Sequence, residues 1–494
     1  MNDSVSLVWF RLDLRLTDNL ALAAAVAQSA FVVPVYIVSP VEDEADKAGS
    51  ASRWWLDQSL CRLNQSLLAC GSRLVIRNGS ALETLRSLIT ETGARSVYWN
   101  RRYDPLGVRQ DTAIEAALAS EGIKINTYNS SLLHEPSAIH TKAGRPFQVF
   151  TAFWNNLSAV IDTEAFAGRP NLMPFPDRQI TGILPEALAE RTSNKNSNWA
   201  ASWTPGECAA QGKLGEFLRT RLEHYDSGRD RPDQDGVSML SPHLHFGEIG
   251  PRQILRAVYQ QRNLSWSDGV ASENAPMVHG ADTYAKELGW REFAHHILFH
   301  FPDTINRPLK KQFERFPWSN NDDLLRRWQE GSTGFPIVDA GMRQLAQTGW
   351  MHNRVRMIVA SFLTKDLLIS WRHGASWFFD SLVDADLASN TFGWQWSAGC
   401  GADAAPYFRI FNPELQGEKF DPEGNYVRSW LPELGLMPTR WIHKPSKAPL
   451  SVLLAANVSL GRTYPKPVVD HALARRRALE GLAWLKQASL LVSS

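Results

Sequence analysis

The chain reads as an α/β N-terminal domain, built on a five-stranded, doubly wound parallel sheet, followed by an all-α C-terminal domain. Three observations predict this. Residues 4–130 alternate short Val- and Ile-rich runs with amphipathic segments, the pattern of successive β-α-β units. From about residue 206 to 480 helical periods dominate and strand-like runs are hard to find. Between them, 161–205 is rich in Pro, Asn, Ser and Thr without a sustained period, the composition of a surface connection. At 494 residues the chain exceeds one compact core, so the expected division is 1–130, a linker over 131–205, and 206–485.

Taken in order, Ser4–Phe10 is a strand, and Thr17 or Asp18 can cap a helix over Asn19–Gln28. Phe31–Val38 is a second strand. Ser50 opens a long helix that Gly71 can end in the left-handed conformation. Arg73–Arg77, Ala94–Trp99 and Ile123–Tyr128 supply three more strands, separated by helices Ala81–Thr92 and Val108–Glu121. RPFQVFTAFW (145–154) starts an aromatic helix. Further on, Leu214–Glu223, Pro251–Gln261, Ala281–Phe301, Asp322–Glu330, Pro336–Thr348, Asn353–Trp371 and Ala375–Leu382 read as helices, and a last charged helix covers about 468–488.

Composition narrows the function classes. With 44% hydrophobic and 21% charged residues, wholesale disorder is excluded. The net charge of +1 means that any polyanion must be met by a local basic surface. The four Cys form no C-x-x-C pair, which argues against a disulfide scaffold or a thiolate zinc site and fits a reducing compartment. No secretory leader is visible, and no apolar run reaches the ~20 residues of a membrane span. A cytoplasmic, monomeric protein without a membrane partner is the expectation. Neither G-x-G-x-x-G nor a Walker loop follows any strand.

Four stretches carry chemistry. The first holds Tyr225, Arg229 and VSMLSPHLHFGEI (237–249). Ser238 and Ser241, beside free amides at a helix start, could hold a pyrophosphate, although a plain N-cap is the commoner use of a Ser before Pro. His243 and His245 lack a third ligand at metal spacing, so no metal is expected. The second stretch is KELGWREFAHHILFHFP (286–302), where Glu287, Trp290 and Arg291 stand at i, i+3 and i+4. A carboxyl beside an indole in a partly dry pocket would stay protonated and could donate to a carbonyl where negative charge develops; an exposed Glu–Arg pair is the alternative.

The third stretch is TGWMHNRVRMIVASFLTKDLLISW (348–371), in which Asn353, Arg356 and Met357 share a face while Arg354 points elsewhere, free for a phosphate. Met357 can press on a planar ring. Arg356 needs a buried partner if it lies inside, and Asp384 is the candidate. The fourth, DADLASNTFGWQWSAGCGADAAPYFRIFNP (384–413), mixes small residues with indoles, which suits a cavity wall around a flat ligand.

These stretches, with the opening VWFRLDLRLTDNLAL, resemble the photolyase/cryptochrome family over about residues 4–465, nearest its bacterial cyclobutane-dimer branch. The resemblance implies light-driven repair of cyclobutane pyrimidine dimers in UV-damaged DNA by a carbon–carbon lyase, a deoxyribodipyrimidine photo-lyase. Reduced FAD would donate one electron to a lesion flipped out of the duplex, aided by an antenna chromophore, methenyltetrahydrofolate or a deazaflavin. It assigns FAD contacts to Tyr225, Val237, Ser238, Met239, Leu240, Ser241, Arg356, Asp384, Ala385, Asp386 and Asn390, although Val237 stands where many members have Thr. Trp394, Trp371 and Trp318 match the electron-transfer chain. Glu287 and Asn353 match catalytic positions facing the lesion, beside Trp290, Arg291, Met357 and Trp396. Arg229, Arg354, Arg409 and Lys419 are the phosphate candidates.

Members acting on (6-4) products carry His at the positions of Asn353 and Met357, so these residues point to cyclobutane dimers. RRYDP (101–105) follows the fourth strand, where α/β ligands bind, so an antenna nearby is expected; DPLGVRQD after Tyr103 lacks the glutamate of one folate-binding group. The alternative within the family is a cryptochrome-type blue-light photoreceptor; against it stands Asn390, where plant-type cryptochromes carry Asp. A flavin-dependent dark oxidoreductase would need a nicotinamide site, and no stretch suggests one.

Overall fold

In the computed structural model the described residues are 4–39, 49–162, 166–171, 173–177, 179–193, 199–261, 279–404 and 408–493. Five strands, β1 (Val5–Phe10), β2 (Phe31–Val38), β3 (Val75–Asn78), β4 (Ser96–Asn100) and β5 (Lys124–Tyr128), form a parallel sheet of order β3-β2-β1-β4-β5. β1 is buried along its whole length, as a strand covered on both faces must be, which is why it reads as an apolar run broken only by Ser6, whose hydroxyl is hydrogen-bonded to Ser29 and Ser96. Helices α1 (Leu20–Gln28), α2 (Ser50–Leu68), α3 (Ala81–Thr92) and α4 (Pro105–Ser120) make the crossovers. Leu7, Trp9, Val33, Val35, Val97 and Trp99 form the centre of the core under the sheet.

Local rules explain most boundaries. Asp104 caps α4, its side chain accepting from the Gly107 amide, with Pro105 at the first helical position. α3 ends on Gly93 at φ +69°, the left-handed residue that closes a helix. One cap differs from expectation: Asn19, not Thr17 or Asp18, accepts from the Leu22 amide at the start of α1, and Asp18 sits at φ +54°.

Numbering only helices of eight residues or more, the chain continues with α5 (Phe150–Ser158), α6 (Pro185–Ser193), α7 (Glu207–Thr220), α8 (Pro251–Gln260) and α9 (His279–His300). α10 (Asp322–Gln329), α11 (Pro336–Thr348), α12 (Asn353–Ser361), α13 (Trp371–Ser381), α14 (Leu387–Ala398), α15 (Pro413–Phe420) and α16 (His471–Ser493) complete it. The connection before α7 is less loop-like than its composition suggests. α6 packs on α2, and Ile183 donates to the Ile76 carbonyl at 2.9 Å, covering the outer edge of β3.

The single helix expected over Asn353–Trp371 is two. α12 runs into a π turn, Phe362–Asp366, and α13 restarts at Trp371 instead of Ala375. The reason lies in two charged groups that local periodicity would place against apolar neighbours. Lys365, fully buried, donates to the Ala398 carbonyl at 2.5 Å, and buried Asp366 meets His471 Nδ1 at 2.5 Å. The extra residue of the π turn aims each at its partner.

The chain folds as two units. One comprises residues 1–223, 238–302 and 383–386; the other comprises 224–237, 303–382 and 387–494. Among the described residues no helix is long and apolar enough to cross a membrane.

Candidate functional site

The ends of β1 and β4 flank the point where strand order reverses, the usual crevice for a ligand in such a sheet. Here the protein fills it with its own side chains. Arg11 donates to Asp111 at 3.1 Å, and Asn100 donates to Asp13 at 2.6 Å and to Asn19 at 2.8 Å. Arg15 is fully buried and donates to the carbonyls of Thr17, Asp18, Ser130 and Gly247. The opening RLDLRL run is therefore a set of buried polar pins. In RRYDP, Arg101 and Tyr103 both bond Glu135, and Arg102 bonds Asp104.

In the first unit, α9 carries a stripe from Tyr284 through Glu287 and Arg291 to His295, roughly 16 Å of helix at 1.5 Å per residue. At one end the Tyr284 hydroxyl donates to Ser238 Oγ at 2.9 Å. The backbone beside it is unusual: Met239 lies at φ +56°, and Leu240, not Ser241, holds the cap position of the short turn Ser241–His245. Ser241 is thus the first residue of the turn and not the plain N-cap.

At the other end of the stripe stands Asp386. Its Oδ2 lies 3.5 Å from His295 Nε2 and 3.9 Å from His245 Nδ1. Burial alone would raise this carboxyl, but the charges of His295 and Arg291 and the hydrogen-bonding capacity of both imidazoles outweigh it and hold Asp386 well below the usual carboxylate range. Asp384 is buried two residues earlier, and the Asp386 amide turns back to the Asp384 carbonyl at 2.7 Å. His243 takes a different task, pairing through Nδ1 with the fully buried Glu248. Among the described residues no three His, Cys, Asp or Glu side chains gather as a metal site.

Glu287 and Trp290 are both half-buried. The Trp290 ring stacks on Phe150 with centroids 3.7 Å apart and planes 9° from parallel. Gly289 lets Trp154 of α5 lie against the same helix; a Cβ there would come within 2.4 Å of the indole. Arg291, expected to face DNA, instead donates to the Ser131 carbonyl at 2.9 Å and to Glu292 at 3.2 Å. Sequence reasoning missed two neighbours. Glu292, fully buried and pushed up by burial, accepts from the Leu133 amide, while His296, brought down to about 3 by burial, accepts from Phe147. Together they dock the 131–147 connection on α9.

In the second unit, α12 begins at a missed cap. The His352 ring accepts from the Arg354 amide at 3.2 Å, and burial brings its pKa down to about 4, so it stays a neutral acceptor. Asn353 is exposed and Met357 half-buried one turn on. Arg354 is not free for a phosphate: it bonds Asp230 Oδ1 through Nε and Nη2 at 3.1 and 2.6 Å, and lies 4.4 Å over the Phe420 ring. Asp230 lies 124 residues away in sequence, which is why the pair was invisible. Arg356 donates to the Met351 carbonyl at 2.7 Å and sits 5.9 Å over Trp350. Tyr225 is buried with Arg229 6.0 Å over its ring, and Lys419 lies 5.0 Å over Phe420.

α12 and α14 share a shallow, open cleft lined by Met357, Ser361, Trp396, Ser397, Asp403, Ala404, Arg409 and Phe411. Arg409 lies 5.4 Å over the Trp396 ring. The cleft thus unites an indole face, a thioether and a guanidinium, with Tyr407 outside the described residues. On the opposite side of α14, Trp394 is buried against Phe378 and Trp328, and Asn390 spends one amide hydrogen on the Ala375 carbonyl at 2.9 Å. Trp328, another indole that sequence reasoning missed, is tied by Nε1 to the Val359 carbonyl.

The three indoles of the expected chain are linked through the backbone. A Cβ on Gly374 would touch the Trp394 ring at 2.1 Å, and Trp371 is one turn before Gly374 on α13. Ser319 donates to the Leu368 carbonyl at 2.7 Å, setting Trp318 beside the strand-like entry to Trp371. Exposure rises along the series, since Trp394 and Trp371 are buried and Trp318 is half-buried.

The polar set suits a flavin nucleotide: a hydroxyl pair beside a short turn at one end, and at the other a charged carboxylate flanked by imidazole nitrogens that complete no hydrogen bond among the described residues. Comparison with known proteins agrees. Residues 284–483 match the family model described as the FAD binding domain of DNA photolyase, and residues 6–171 match that of DNA photolyase. The deoxyribodipyrimidine photo-lyase of Agrobacterium fabrum is 47% identical over 490 residues, covering 97% of this chain and 98% of that one. Cryptochrome-2 of Arabidopsis thaliana is 40% identical, covering 100% of this chain and 81% of its own. The crystal structure of a bacterial class III photolyase from Agrobacterium tumefaciens superimposes with a TM-score of 0.92 at 45% identity, covering 99% of this chain and 98% of that one. This chain therefore belongs to the photolyase/cryptochrome family, with the α/β photolyase domain at its N-terminus and a helical FAD-binding domain at its C-terminus.

Proposed function

We propose that this chain is a deoxyribodipyrimidine photo-lyase that repairs cyclobutane pyrimidine dimers in UV-damaged DNA under blue or near-UV light. The observation that carries the reading is the cleft between α12 and α14, where Met357, Trp396 and Arg409 stand together. An indole face and a thioether accept a flat base pair-sized lesion, and a guanidinium at the rim suits its phosphate. Bound in reduced form, FAD supplies the light-excited electron that splits the dimer and takes it back afterwards.

The chain's own residues bind, orient and charge the parts. Ser238 to Ser241, with Tyr225 and Val237, are assigned to the nucleotide's phosphates and ribose; Arg356, Asp384, Ala385, Asp386 and the second amide hydrogen of Asn390 are assigned to the ring system. Trp318, Trp371 and Trp394 relay electrons inward from the surface to restore the reduced state. Glu287 holds a proton toward a pyrimidine carbonyl of the lesion and Asn353 takes a base edge, with Trp290 and Trp396 as aromatic walls. Arg229, Arg409 and Lys419 meet phosphates, and Arg354 joins them when its Asp230 pair opens. A dimer stacks and pairs badly, so extruding it from the duplex costs less than extruding a sound base.

The enzyme acts as a cytoplasmic monomer with an antenna of the folate or deazaflavin class, which the absorption spectrum of the purified protein distinguishes. Identity of 40% to a plant cryptochrome, along the whole of this chain and 81% of that protein, favours a second reading, a photoreceptor. The test uses photoreduced protein, light and two oligonucleotides, one with a cyclobutane dimer and one with a (6-4) product. Repair of only the first is expected. Repair of only the second would overturn the argument from Asn353 and Met357, and repair of neither by a flavin that still photoreduces would leave the photoreceptor.

A further inference from the structure

Asp386 is assigned to the flavin ring, but the two histidines beside it, His245 and His295, belong to none of the roles above. The three side chains come from three separate segments, the turn Ser241–His245, α9 and the 383–386 segment. Both imidazole nitrogens face one oxygen, Asp386 Oδ2, at 3.5 and 3.9 Å, just beyond the length of a formed hydrogen bond, and neither has another hydrogen-bond partner among the described residues. Among the described residues Arg291 also acts on this carboxylate, its guanidinium engaged by Ser131 and Glu292.

We propose that His245 and His295 are positioning residues that compensate the charge of Asp386 and thereby raise the midpoint potential of the bound flavin. The inference rests on the assignment of Asp386 to the flavin ring. A carboxylate beside a ring that gains negative charge on reduction opposes that reduction, and in a partly buried site the opposition is strong. Two imidazoles aimed at the carboxylate weaken its field where the ring lies. Removing one leaves the carboxylate charge less balanced, so the flavin becomes harder to reduce.

The experiment equilibrates FAD-loaded protein with redox dyes at pH 6 and compares wild type with His245→Asn, His295→Asn and Asp386→Asn, and with each histidine change in the Asp386→Asn background. Each histidine change is expected to lower the reduced-to-oxidised ratio at fixed poise about tenfold, roughly 30 mV for a two-electron couple, and to have less than about twofold effect in the Asp386→Asn background. An unchanged potential in both single variants would overturn the proposal. So would an equal shift in the Asp386→Asn background, which a merely structural role would give. Loss of FAD from both single variants also counts against it, because the histidines would then govern binding. If Asp386→Asn alone leaves the potential unmoved, the contact between Asp386 and the flavin fails instead.

Discussion

Replacing Gly374 by Ala tests the electron path without replacing an indole. The added Cβ would lie 2.1, 2.3 and 2.7 Å from three atoms of the Trp394 ring, so the ring must withdraw by roughly 1.3 Å to reach ordinary contact. It has little room, being 2% exposed and held edge-on by Phe378 at 5.0 Å and Trp328 at 6.0 Å. Overpacking of this kind costs about 1–3 kcal/mol, which should lower the melting temperature by a few degrees. The same displacement moves Trp394, one of the three indoles assigned to the relay. Flavin photoreduction should therefore slow several-fold, while repair by dithionite-reduced enzyme stays at the wild-type level. A lower melting temperature with unaltered photoreduction would show that electrons do not pass through Trp394, and an unaltered melting temperature would refute the close contact itself.

Glu287→Ala is expected to lower the repair yield per photon absorbed while FAD content stays stoichiometric; equal yield would remove Glu287 from the chemistry. Asp230→Asn should tighten binding to undamaged DNA several-fold by freeing Arg354, measured by fluorescence anisotropy, and should do little in an Arg354→Ala background; an equal gain in both backgrounds would reduce the effect to bulk charge. Stability should fall on acidification from pH 7 to 5. His352 and His296, held down to about 4 and about 3 chiefly by burial, contribute stability present above pH 6.5 and lost as pH falls toward those values. Asp421, pushed up to about 6 by burial, acts oppositely, contributing stability below 3.8 that is lost as pH rises through 6. His352→Asn, which keeps a cap, should shrink the loss of stability between pH 7 and pH 5 in urea unfolding; an unchanged loss would remove His352 from it.

What the sequence revealed and what it concealed divide along the range of the interactions. β1 and β2 were legible because a strand buried on both faces is apolar at nearly every position, and the end of α3 because Gly93 readily takes the left-handed closure there. The tryptophan series and the Met357–Trp396–Arg409 set were visible as residue types within motifs, since the turns that carry them are local. Partners remote in sequence were not. The pattern of α12 continues smoothly through Lys365 and Asp366, and only the carbonyl of Ala398 and the ring of His471 explain why the helix bulges there. Arg354 and Arg291 looked like unspent charges for the same reason, their partners being Asp230 and the Ser131 carbonyl.

The same long-range partners bear on how the site works. In the stretches that carry it, the groups assigned to flavin or lesion are each steadied by a group from elsewhere in the chain: Asp386 by His245 and His295, Arg354 by Asp230, and the Trp290 ring by Phe150. Asn390 likewise gives one amide hydrogen to Ala375, which fixes the direction in which the other points. A side chain with its rotamer set before the ligand arrives loses little freedom on binding, so more of the contact energy remains for orientation. The long-range pairs that sequence reasoning could not see are therefore the pairs that preorganise residues it could.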